Sequence, residues 1–339
     1  MATVLQETSS VTPKRDTSSA IRVEDIRHSY GKRTALKGIS FDVAAGEIFG
    51  LLGPNGSGKT TLFRILSTLM LPTSGRALVS GFDSTKQADE VRRRIGVVFQ
   101  SKSVDLKLTA AENLWHQGHL YGLRGATLKS RIQEILERVA LVDRAKDKVE
   151  TFSGGMQRRV ELAKGLMHRP SVLLLDEPTT GLDPGARRDL WLYLDELRAR
   201  EKVSIIVTTH LMEEAEHCDR LAILNLGEIV ALGTPVELRS QIGGDVVMLE
   251  ASDPAGLAQR IEERFKIATT ALDGKVRLEI KDGLKFVTAV AEAMPGTIQS
   301  VSISKPTLDD VFISRTGHRF WTEQEQDSEK GNPRTDKHC

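Results

Sequence analysis

A glycine-rich stretch of the sequence has the residue types and the spacing that bind phosphate. Residues 53–60 read GPNGSGKT and fit G-x-x-x-x-G-K-[ST] between an expected strand and an expected helix. The glycines let backbone NH groups curl toward phosphate oxygens, and the helix N-terminus adds partial positive charge. Lys59 can then reach the β- and γ-phosphates, while Thr60 offers a hydroxyl to magnesium. The candidate nucleotide-binding residues here are Gly53, Pro54, Asn55, Gly56, Ser57, Gly58, Lys59, Thr60 and Thr61.

Two adjacent carboxylates end another apolar run, LLLDEP at residues 173–178. Asp176, at the expected strand tip, would hold magnesium directly or through water. Because side chains alternate in direction at a strand end, Glu177 points elsewhere and can act as general base toward a water opposite the γ-phosphate. The alternative is a solvated acidic loop that follows a strand.

A second glycine pair lies in FSGGM at residues 152–156. Ser153 is a natural N-cap for the helix that the following apolar periodicity predicts. With free NH groups and a helix dipole, Ser153, Gly154 and Gly155 predict another anion-binding site. The alternative is a capped helix that binds no ligand.

The elements that must position these motifs follow an α/β pattern. The strand candidates are 48–53, 95–99, 172–176, 204–210 and 221–230, separated by amphipathic runs. The continuous apolar runs among them suit strands that are buried on both faces. Between residues 102 and 169 apolar residues recur at helical spacing, which predicts a helical insert.

Changes of composition divide the chain into segments. Residues 1–20 are rich in Ser and Thr, lack the apolar core of a secretory signal, and are expected to form a disordered tail. Residues 21–241 form the main domain. Residues 244–316 follow the βαββαβ order of a small ferredoxin-like domain and end in a short helix. Residues 317–339 are polar and are expected to be disordered.

Composition excludes several classes of protein. The 339 residues carry 47 Lys and Arg against 46 Asp and Glu, so no global basic field marks a nucleic-acid-binding protein. The two cysteines, Cys218 and Cys339, form neither a disulfide framework nor a metal-ligand cluster. No window reaches the roughly 18 consecutive apolar residues of a membrane span, so a membrane role requires a partner.

Taken in order, the motifs resemble those of the ATP-binding subunit of an ABC transporter. The phosphate loop, VVFQ ending at Gln100, SGG, LLLDEP, GLDP at 181–184 and TTH ending at His210 occur in the family's order. The resemblance covers residues 21–240. It implies an α/β P-loop NTPase fold of the ABC nucleotide-binding type, with a helical subdomain, that hydrolyses ATP with Mg²⁺.

The resemblance also implies roles for single residues. Tyr30 resembles the aromatic residue that stacks on adenine, and Gln100 the residue that contacts magnesium and the attacking water. His210 resembles the switch histidine that hydrogen-bonds the γ-phosphate and holds Glu177 and the water in line. The implied catalytic residues are Glu177, His210 and Gln100, and the implied metal ligands are Thr60, Gln100 and Asp176.

In the family, SGG closes over the γ-phosphate of an ATP that the partner subunit holds. The resemblance therefore implies a homodimer in which Ser153, Gly154 and Gly155 of one chain complete the phosphate loop of the other. Asp183, in GLDP, resembles the acidic residue that contacts the opposite subunit. ATP would then join two chains.

The second glycine motif departs from the commonest family form, LSGGQ. Phe152 keeps apolar bulk at the first position, but Met156 lacks an amide that could donate a hydrogen bond worth about 1 kcal/mol. Whether Gln157 replaces that amide stays open. The serine and both glycines are present, so the functional interpretation holds.

Two longer phrases, VFQSKSVDLKLTAAENL and PTLDDVFISRTG, resemble a subgroup of the family that energises ABC-2 type export, similar to daunorubicin-resistance ATP-binding proteins. This implies a separate ABC-2 type membrane permease and two copies of this subunit, peripheral at the cytoplasmic face of the cell membrane. The implied cargo is a drug, lipid or polysaccharide. Residues 101–115, after Gln100, would act as the lever on the permease.

Other functions stay open on the sequence alone. A soluble ABC ATPase that acts on the ribosome or DNA is one alternative, although such relatives usually have two nucleotide domains or a long coiled coil. A plain P-loop kinase is another, but it would not need SGG or GLDP. The C-terminal domain is expected to be a dimer-stabilising scaffold, with regulator binding or permease contact as alternatives.

Overall fold

The computed structural model describes residues 19–320. Up to residue 240 the elements are β1 (Ser19–Tyr30), β2 (Arg33–Ala44), β3 (Ile48–Leu52), α1 (Lys59–Leu66), β4 (Ser74–Val79), β5 (Phe82–Asp83), α2 (Ala88–Arg92), β6 (Ile95–Val98), α3 (Ala110–Leu120), α4 (Gly125–Arg138), α5 (Gly154–Leu166), β7 (Val172–Asp176), α6 (Pro184–Glu201), β8 (Ser204–Thr209), α7 (Met212–Ala215), β9 (Arg220–Asn225), β10 (Glu228–Gly233) and α8 (Pro235–Ser240). They are followed by β11 (Asp245–Glu250), α9 (Pro254–Phe265), β12 (Thr270–Leu272), β13 (Lys275–Ile280), α10 (Gly283–Ala293), β14 (Ser300–Ser304) and α11 (Leu308–Thr316).

A six-stranded sheet in the order β10-β9-β3-β8-β7-β6 forms the centre of the fold. Its five strands from β9 to β6 are parallel, and β10 is an antiparallel edge strand. Along β7, Val172 and Leu174 pack into the core on one face, while Leu173 and Leu175 pack into the core on the other. Burial on both faces explains why the parallel strands are continuous apolar runs, as we predicted.

An antiparallel sheet in the order β2-β1-β4-β5 packs on one face of the central sheet. Our strand candidates did not include these strands. Strand β1 contains register shifts and holds Asp25 at a φ of 46°, and these bulges break the two-residue alternation that marks a strand in a sequence.

The N-terminal boundary differs from the expected one. Strand β1 begins at Ser19, which pairs with Ala44 of β2, so the predicted tail 1–20 is too long by two residues. The remainder of that segment, residues 1–18, lies outside the described part of the chain.

Residues 221–230 form two strands, and our prediction of one strand was wrong. Strands β9 and β10 are joined by a two-residue turn in which Leu226 has a φ of 47° and Gly227 a φ of 83°. Positive φ at both central positions is the geometry of a tight hairpin turn. Gly227 indicated a turn, but leucine rarely adopts a positive φ, so Leu226 argued against a turn at this position.

Helices α3, α4 and α5 lie between β6 and β7, where we expected helices. A capping box between Thr109 and Glu112 explains where α3 begins. Leu114 of α3 and Leu162 of α5 join the core on one face of the central sheet. Across residues 19–320, no helix combines the length and the apolar character required to cross a membrane.

The last four strands form a separate antiparallel sheet in the order β12-β13-β11-β14. With α9 and α10 they follow the chain order βαββαβ, which is the ferredoxin-like arrangement that we predicted. Val247 and Leu249 of β11 pack with Leu257 of α9 and Phe286 of α10. The helices therefore cover one face of this sheet.

Helix α11 joins the C-terminal sheet to the central sheet. Leu308 and Phe312 of α11 share one buried cluster with Val246 of β11, Ile223 of β9 and Leu52 of β3. This buried cluster therefore connects α11 to β3, the strand that precedes the phosphate loop.

The C-terminal boundary also differs from the expected one. Phe320 is buried, and its ring centroid lies 5.0 Å from that of Phe312. The prediction of a disordered tail from residue 317 is therefore wrong for residues 317–320. Residues 321–339 lie outside the described part of the chain.

We expect Phe312→Ala to destabilise the protein, because this side chain is fully buried where the two sheets are joined. Loss of a buried phenylalanine costs about 3–5 kcal/mol in the free energy of unfolding. Denaturant unfolding followed by circular dichroism measures the change. Leu284→Ala, at a residue that is 70% exposed, is the control and should change stability by less than about 0.5 kcal/mol. Equal losses would contradict the role given to α11.

Candidate active site

Four parallel strands end at the same edge of the central sheet. At that edge Leu52 of β3 pairs with Thr209 of β8, and Asp176 of β7 pairs with Thr208 of β8. Strand β6 lies next to β7 and ends beside it. Because the parallel register aligns the strand ends, the loops that follow these strands meet there. Those loops carry the predicted phosphate-binding and catalytic residues.

The phosphate loop connects β3 to α1 through two glycines with positive φ. Gly56 has a φ of 79° and Gly58 a φ of 110°, which glycine adopts without strain. A Cβ on Gly58 would lie 2.9 Å from the carbonyl oxygen of Ala35, so a side chain has no room there. The Ser57 hydroxyl is buried and finds no hydrogen-bond partner within the described chain. A phosphate group would satisfy it, together with the NH groups at the start of α1.

Lys59 is 4% exposed at the first position of α1. Its ammonium group donates hydrogen bonds to the carbonyl oxygens of Gly53 at 2.6 Å and Pro54 at 3.1 Å, and it lies 3.9 Å from the carboxylate of Glu177. Burial lowers the pKa of Lys59, and the charges of Glu177 and Asp176 oppose that shift. A phosphate oxygen beside the ammonium would favour its charged form further.

A cavity of about 260 Å³ lies over this loop. The predicted site residues that line it are Tyr30, Asn55, Gly56, Gly58, Lys59, Thr60, Thr61, Gln100 and Glu177. Asp176 and Ser57 are buried, and each is adjacent in sequence to a residue that lines this cavity. The fold therefore brings the phosphate loop and two of the predicted catalytic residues to one cavity.

Glu177 lies among the other predicted catalytic groups. Its Oε2 accepts a hydrogen bond from Nε2 of Gln100 at 2.9 Å and lies 3.1 Å from Nδ1 of His210. Thr180 donates a third contact to the same oxygen at 3.3 Å. The φ of Glu177 is 44°, which is rare for a residue with a side chain. Its NH donates to the backbone and side-chain oxygens of Thr208, which helps to hold that conformation.

The environment shifts the two adjacent carboxylates in opposite directions. Burial would raise the pKa of Glu177, but the hydrogen bond with His210 and the charge of Lys59 outweigh it, and the pKa is lowered. Burial raises the pKa of Asp176, and a hydrogen bond of 2.5 Å from Thr208 opposes this only in part. The lowered pKa keeps Glu177 in the ionised form that can accept a proton. A nearby cation would favour the charged form of Asp176.

We did not predict two side chains that hold residues of the candidate site in place. Thr208 is fully buried and bonds both of the acidic residues just described. Glu214 of α7 is also buried and accepts hydrogen bonds from Thr179 and, at 2.6 Å, from Thr209. It ties the loop after β7 to the loop that carries His210. The two adjacent threonines of TTH could have indicated Thr208, but no motif in the neighbouring sequence indicates Glu214.

Tyr30 lines the cavity and is 45% exposed. Its hydroxyl is 3.3 Å from that of Thr61, and its ring makes a T-shaped contact with that of His28 at a centroid distance of 4.7 Å. An exposed aromatic face is suited to stacking on a flat base. Arg33 lines the same cavity beside Gly56. We did not predict Arg33, although a cation so near the aromatic residue was a signal.

The second glycine pair forms a separate helix N-terminus, as predicted. Ser153 caps α5 by accepting a hydrogen bond from the NH of Met156 at 3.3 Å. Gly154 and Gly155 occupy the first helical positions. A Cβ on Gly155 would lie 2.9 Å from the Cβ of Ala186, so glycine lets α5 and α6 approach closely.

A cavity of about 190 Å³ opens at this N-terminus, and Ser153, Gly155 and Asp183 are among its lining residues. Asp183 caps α6 by accepting a hydrogen bond from the NH of Ala186 at 2.9 Å. Within residues 19–320, no side chain that lines this cavity also lines the cavity over the phosphate loop. The cavity at Ser153 is therefore distinct from the one over the phosphate loop, and anion binding there stays a prediction.

Gln157 does not replace the amide that Met156 lacks. The Gln157 side chain is buried, accepts a hydrogen bond from Lys102 at 2.6 Å, and donates to the carbonyl oxygens of Val149 and Phe152 at 3.3 and 3.1 Å. Met156 packs against the helical core. Both ends of the Gln157 amide are therefore used inside its own chain.

Comparison with known proteins agrees with this geometry. The ABC transporter family model matches residues 36–180, and the model of the C-terminal domain of DrrA1-3-like ATP-binding proteins matches residues 233–316. The linearmycin resistance ATP-binding protein LnrL of Bacillus subtilis is 40% identical, over 88% of this chain and 98% of LnrL. The chain belongs to the ABC transporter family. The daunorubicin resistance ATP-binding protein DrrA2 of Streptomyces coeruleorubidus is 37% identical to this ABC protein, over 88% of this chain and 96% of DrrA2.

A solved structure supports both the fold and the reaction. The ATP-binding cassette MJ0796, in a dimeric post-hydrolysis state bound to ADP and Pi, matches this ABC protein with a TM-score of 0.57 and 29% identity, over 63% of this chain and 98% of MJ0796. The predicted P-loop ABC fold and the likeness to daunorubicin-resistance proteins are confirmed. This ABC protein is an ATP-binding and ATP-hydrolysing subunit of a transporter.

We expect Glu177→Gln to retain ATP binding and to lose hydrolysis by at least about 100-fold, because the amide keeps the shape of the side chain but accepts no proton. The ATP-bound variant should accumulate as a dimer. Phosphate release and light scattering with ATP and magnesium measure the two effects. Glu150→Gln removes a surface carboxylate that pairs with Lys107 and should leave the rate within about twofold of wild type. A Glu177→Gln variant that stays monomeric with ATP would contradict an active site shared between two chains.

Proposed function

We propose that this ABC protein drives a separate ABC-2 type permease that exports a drug, lipid or polysaccharide. The observation that carries the proposal is that the likeness to resistance ATP-binding proteins runs through the C-terminal unit as well as the ATPase. An ATPase confers resistance when it powers removal of a toxic compound from the cell. The subunit would then be peripheral, at the cytoplasmic face of the cell membrane, where ATP is available.

Two copies of the chain form the working unit in this proposal. Ser153 and Gly155 line a cavity apart from the phosphate loop, so each would face the ATP of the other copy. A two-fold axis places the α5 N-terminus of one chain against the γ-phosphate held by its partner. Asp183, beside Ser153, would meet the opposite chain, and Tyr30 would stack on adenine. ATP binds the closed dimer more tightly than the open chains and so favours closure.

The residues at the strand ends would then divide the chemistry. Thr60, Gln100 and Asp176 offer a hydroxyl, an amide and a carboxylate oxygen, a donor set that suits magnesium. Magnesium would neutralise charge on the phosphates. Glu177, whose lowered pKa keeps the carboxylate charged, would accept the proton of the attacking water, and His210 would hold this carboxylate in place.

The permease would dock on α3 and on the segment that precedes it. Leu120 is 81% exposed, and Trp115 and Tyr121 are exposed on the same part of the chain. Exposed apolar side chains of this size are typical of a protein interface. Residues 101–115 connect this surface to Gln100, which contacts the catalytic carboxylate. Movement of the permease would therefore reach the active site through one short segment.

We expect Ser153→Arg to leave the ATP dissociation constant within about threefold of wild type, since Ser153 does not line the chain's own nucleotide cavity. Hydrolysis and ATP-dependent dimerisation should both be lost, even in the Glu177→Gln background, because a bulky side chain blocks the partner's phosphate. Equilibrium nucleotide binding and light scattering are the measurements. Ser252→Arg, at an exposed loop position, is the control. Dimerisation of Ser153→Arg with ATP would refute the composite site.

Copurification of this protein with an ABC-2 type permease from its native cells tests the transport role. In that complex we expect Leu120→Glu to reduce permease-stimulated ATPase activity at least about fivefold, because a charge enters an apolar interface. The rate of the free subunit should not change. Leu284→Glu, on the C-terminal unit, should behave as wild type. A wild-type protein that captures no permease would overturn the proposed function, whereas normal coupling of Leu120→Glu would overturn only the docking surface.

A further inference from the structure

A buried arginine of α5 contacts the backbone on both sides of the catalytic glutamate. Arg158 is 7% exposed and donates hydrogen bonds to the carbonyl oxygen of Pro178 at 2.7 Å and to that of Asp176 at 3.4 Å. These two residues flank Glu177, whose φ is 44°. A residue with a side chain keeps such a conformation when its surroundings hold it there. Arg158 supplies part of that support from a different element of the fold.

The same guanidinium reaches the segment that carries Gln100. One nitrogen, Nη1, donates to the carbonyl oxygen of Phe99 at 2.8 Å and to the carboxylate of Glu161 at 2.6 Å. Glu161 is also buried and accepts a hydrogen bond from the NH of Ser103 at 2.7 Å. The pair formed by Arg158 and Glu161 therefore holds the chain on both sides of Gln100.

The chemistry of this pair suits a rigid connection. A guanidinium group is planar, stays charged and presents its donors in a fixed fork, so its contacts define one geometry. Burial of two charges costs free energy, and apolar side chains of similar volume often give equal or greater stability. Stability alone therefore gives no reason for a charged pair at this position.

The pair formed by Arg158 and Glu161 lies near the N-terminus of α5. Ser153 caps the N-terminus of this helix, and Arg158 follows in its second turn. An α-helix moves as a stiff rod over so short a distance, so a shift at the N-terminus is also a shift at Arg158. The end that would meet the partner's ATP is thus joined to the chain's own catalytic residues.

We propose that Arg158 is a positioning residue that couples the two ATP sites of the dimer. This inference rests on the composite site of the proposed function. ATP of the partner, held at the N-terminus of α5, fixes the position of that helix. Arg158 passes the position on to Gln100 and Glu177 of its own chain. Each site then hydrolyses ATP efficiently when the other site is occupied.

The test uses the full-length chain with ATP and magnesium. Arg158→Lys keeps the charge and the partner Glu161, but one ammonium group cannot bridge both flanking peptides. We expect kcat to fall at least about tenfold, because small misplacement of a catalytic group is costly, while the ATP dissociation constant stays within about twofold. We expect a Hill coefficient for ATP above 1 in the wild type and close to 1 in Arg158→Lys.

Arg131→Lys is the matched control. Arg131 is a buried arginine in the same group of helices, donates to the carbonyl oxygen of Met167 at 3.0 Å and pairs with Glu134 at 2.8 Å. It contacts neither catalytic segment among its described partners. We expect its kcat within about twofold of wild type and its Hill coefficient unchanged.

Several results would overturn the coupling. They are a wild-type Hill coefficient of 1, an Arg158→Lys variant that matches Arg131→Lys, or a loss of ATP affinity as large as the loss of kcat. Thermal unfolding checks that each variant is folded. If Arg158→Lys does not fold, Glu161→Gln decides, since it keeps the volume and should lower kcat and the Hill coefficient in the same way. A wild type that forms no ATP-dependent dimer would instead refute the composite site itself.

Discussion

The register between β7 and β8 is the constraint on which the active site depends. It sets Asp176 opposite Thr208, and the hydroxyl of Thr208 bonds the carboxylate of one acidic residue and the backbone of the next. A slip of one residue would turn Thr208 to the opposite face of the sheet and would exchange the two apolar cores that β7 separates. The same hydrophobic pattern that stabilises the sheet therefore aligns the proposed catalytic groups.

Local signals in the sequence were sufficient for the parts of the site that are local in the chain. The phosphate loop and the cap at Ser153 each depend on residues within one short segment, and the ferredoxin-like order follows from a series of such segments; the structure has all three. The contacts of Arg158 and Glu214 join residues that are far apart in sequence, and they could not be read from spacing. The prediction of one strand at 221–230 was wrong for another reason, since Leu226 adopts a conformation that its residue type disfavours.

The C-terminal unit is connected to the ATPase at a mechanically relevant place. The buried cluster around α11 includes Leu52, the last residue before the phosphate loop, as well as Val246 at the start of the C-terminal sheet. Close-packed cores transmit displacement with little compression. A scaffold joined in this way would move with the strand that precedes the phosphate loop, whereas its expected role in stabilising a dimer stays a prediction.

The absence of a Cβ at Gly155 has two consequences. The approach of Ala186 leaves no space for a Cβ, and the same absence leaves the helix N-terminus bare toward a ligand. A substitution at this glycine would therefore damage packing inside the chain and, in the proposed dimer, contact with the neighbouring chain. Exchange of Ala186 for glycine would open the space that a Cβ at residue 155 requires. The paired substitution, Gly155→Ala with Ala186→Gly, would separate the cost inside the fold from the cost between the two chains.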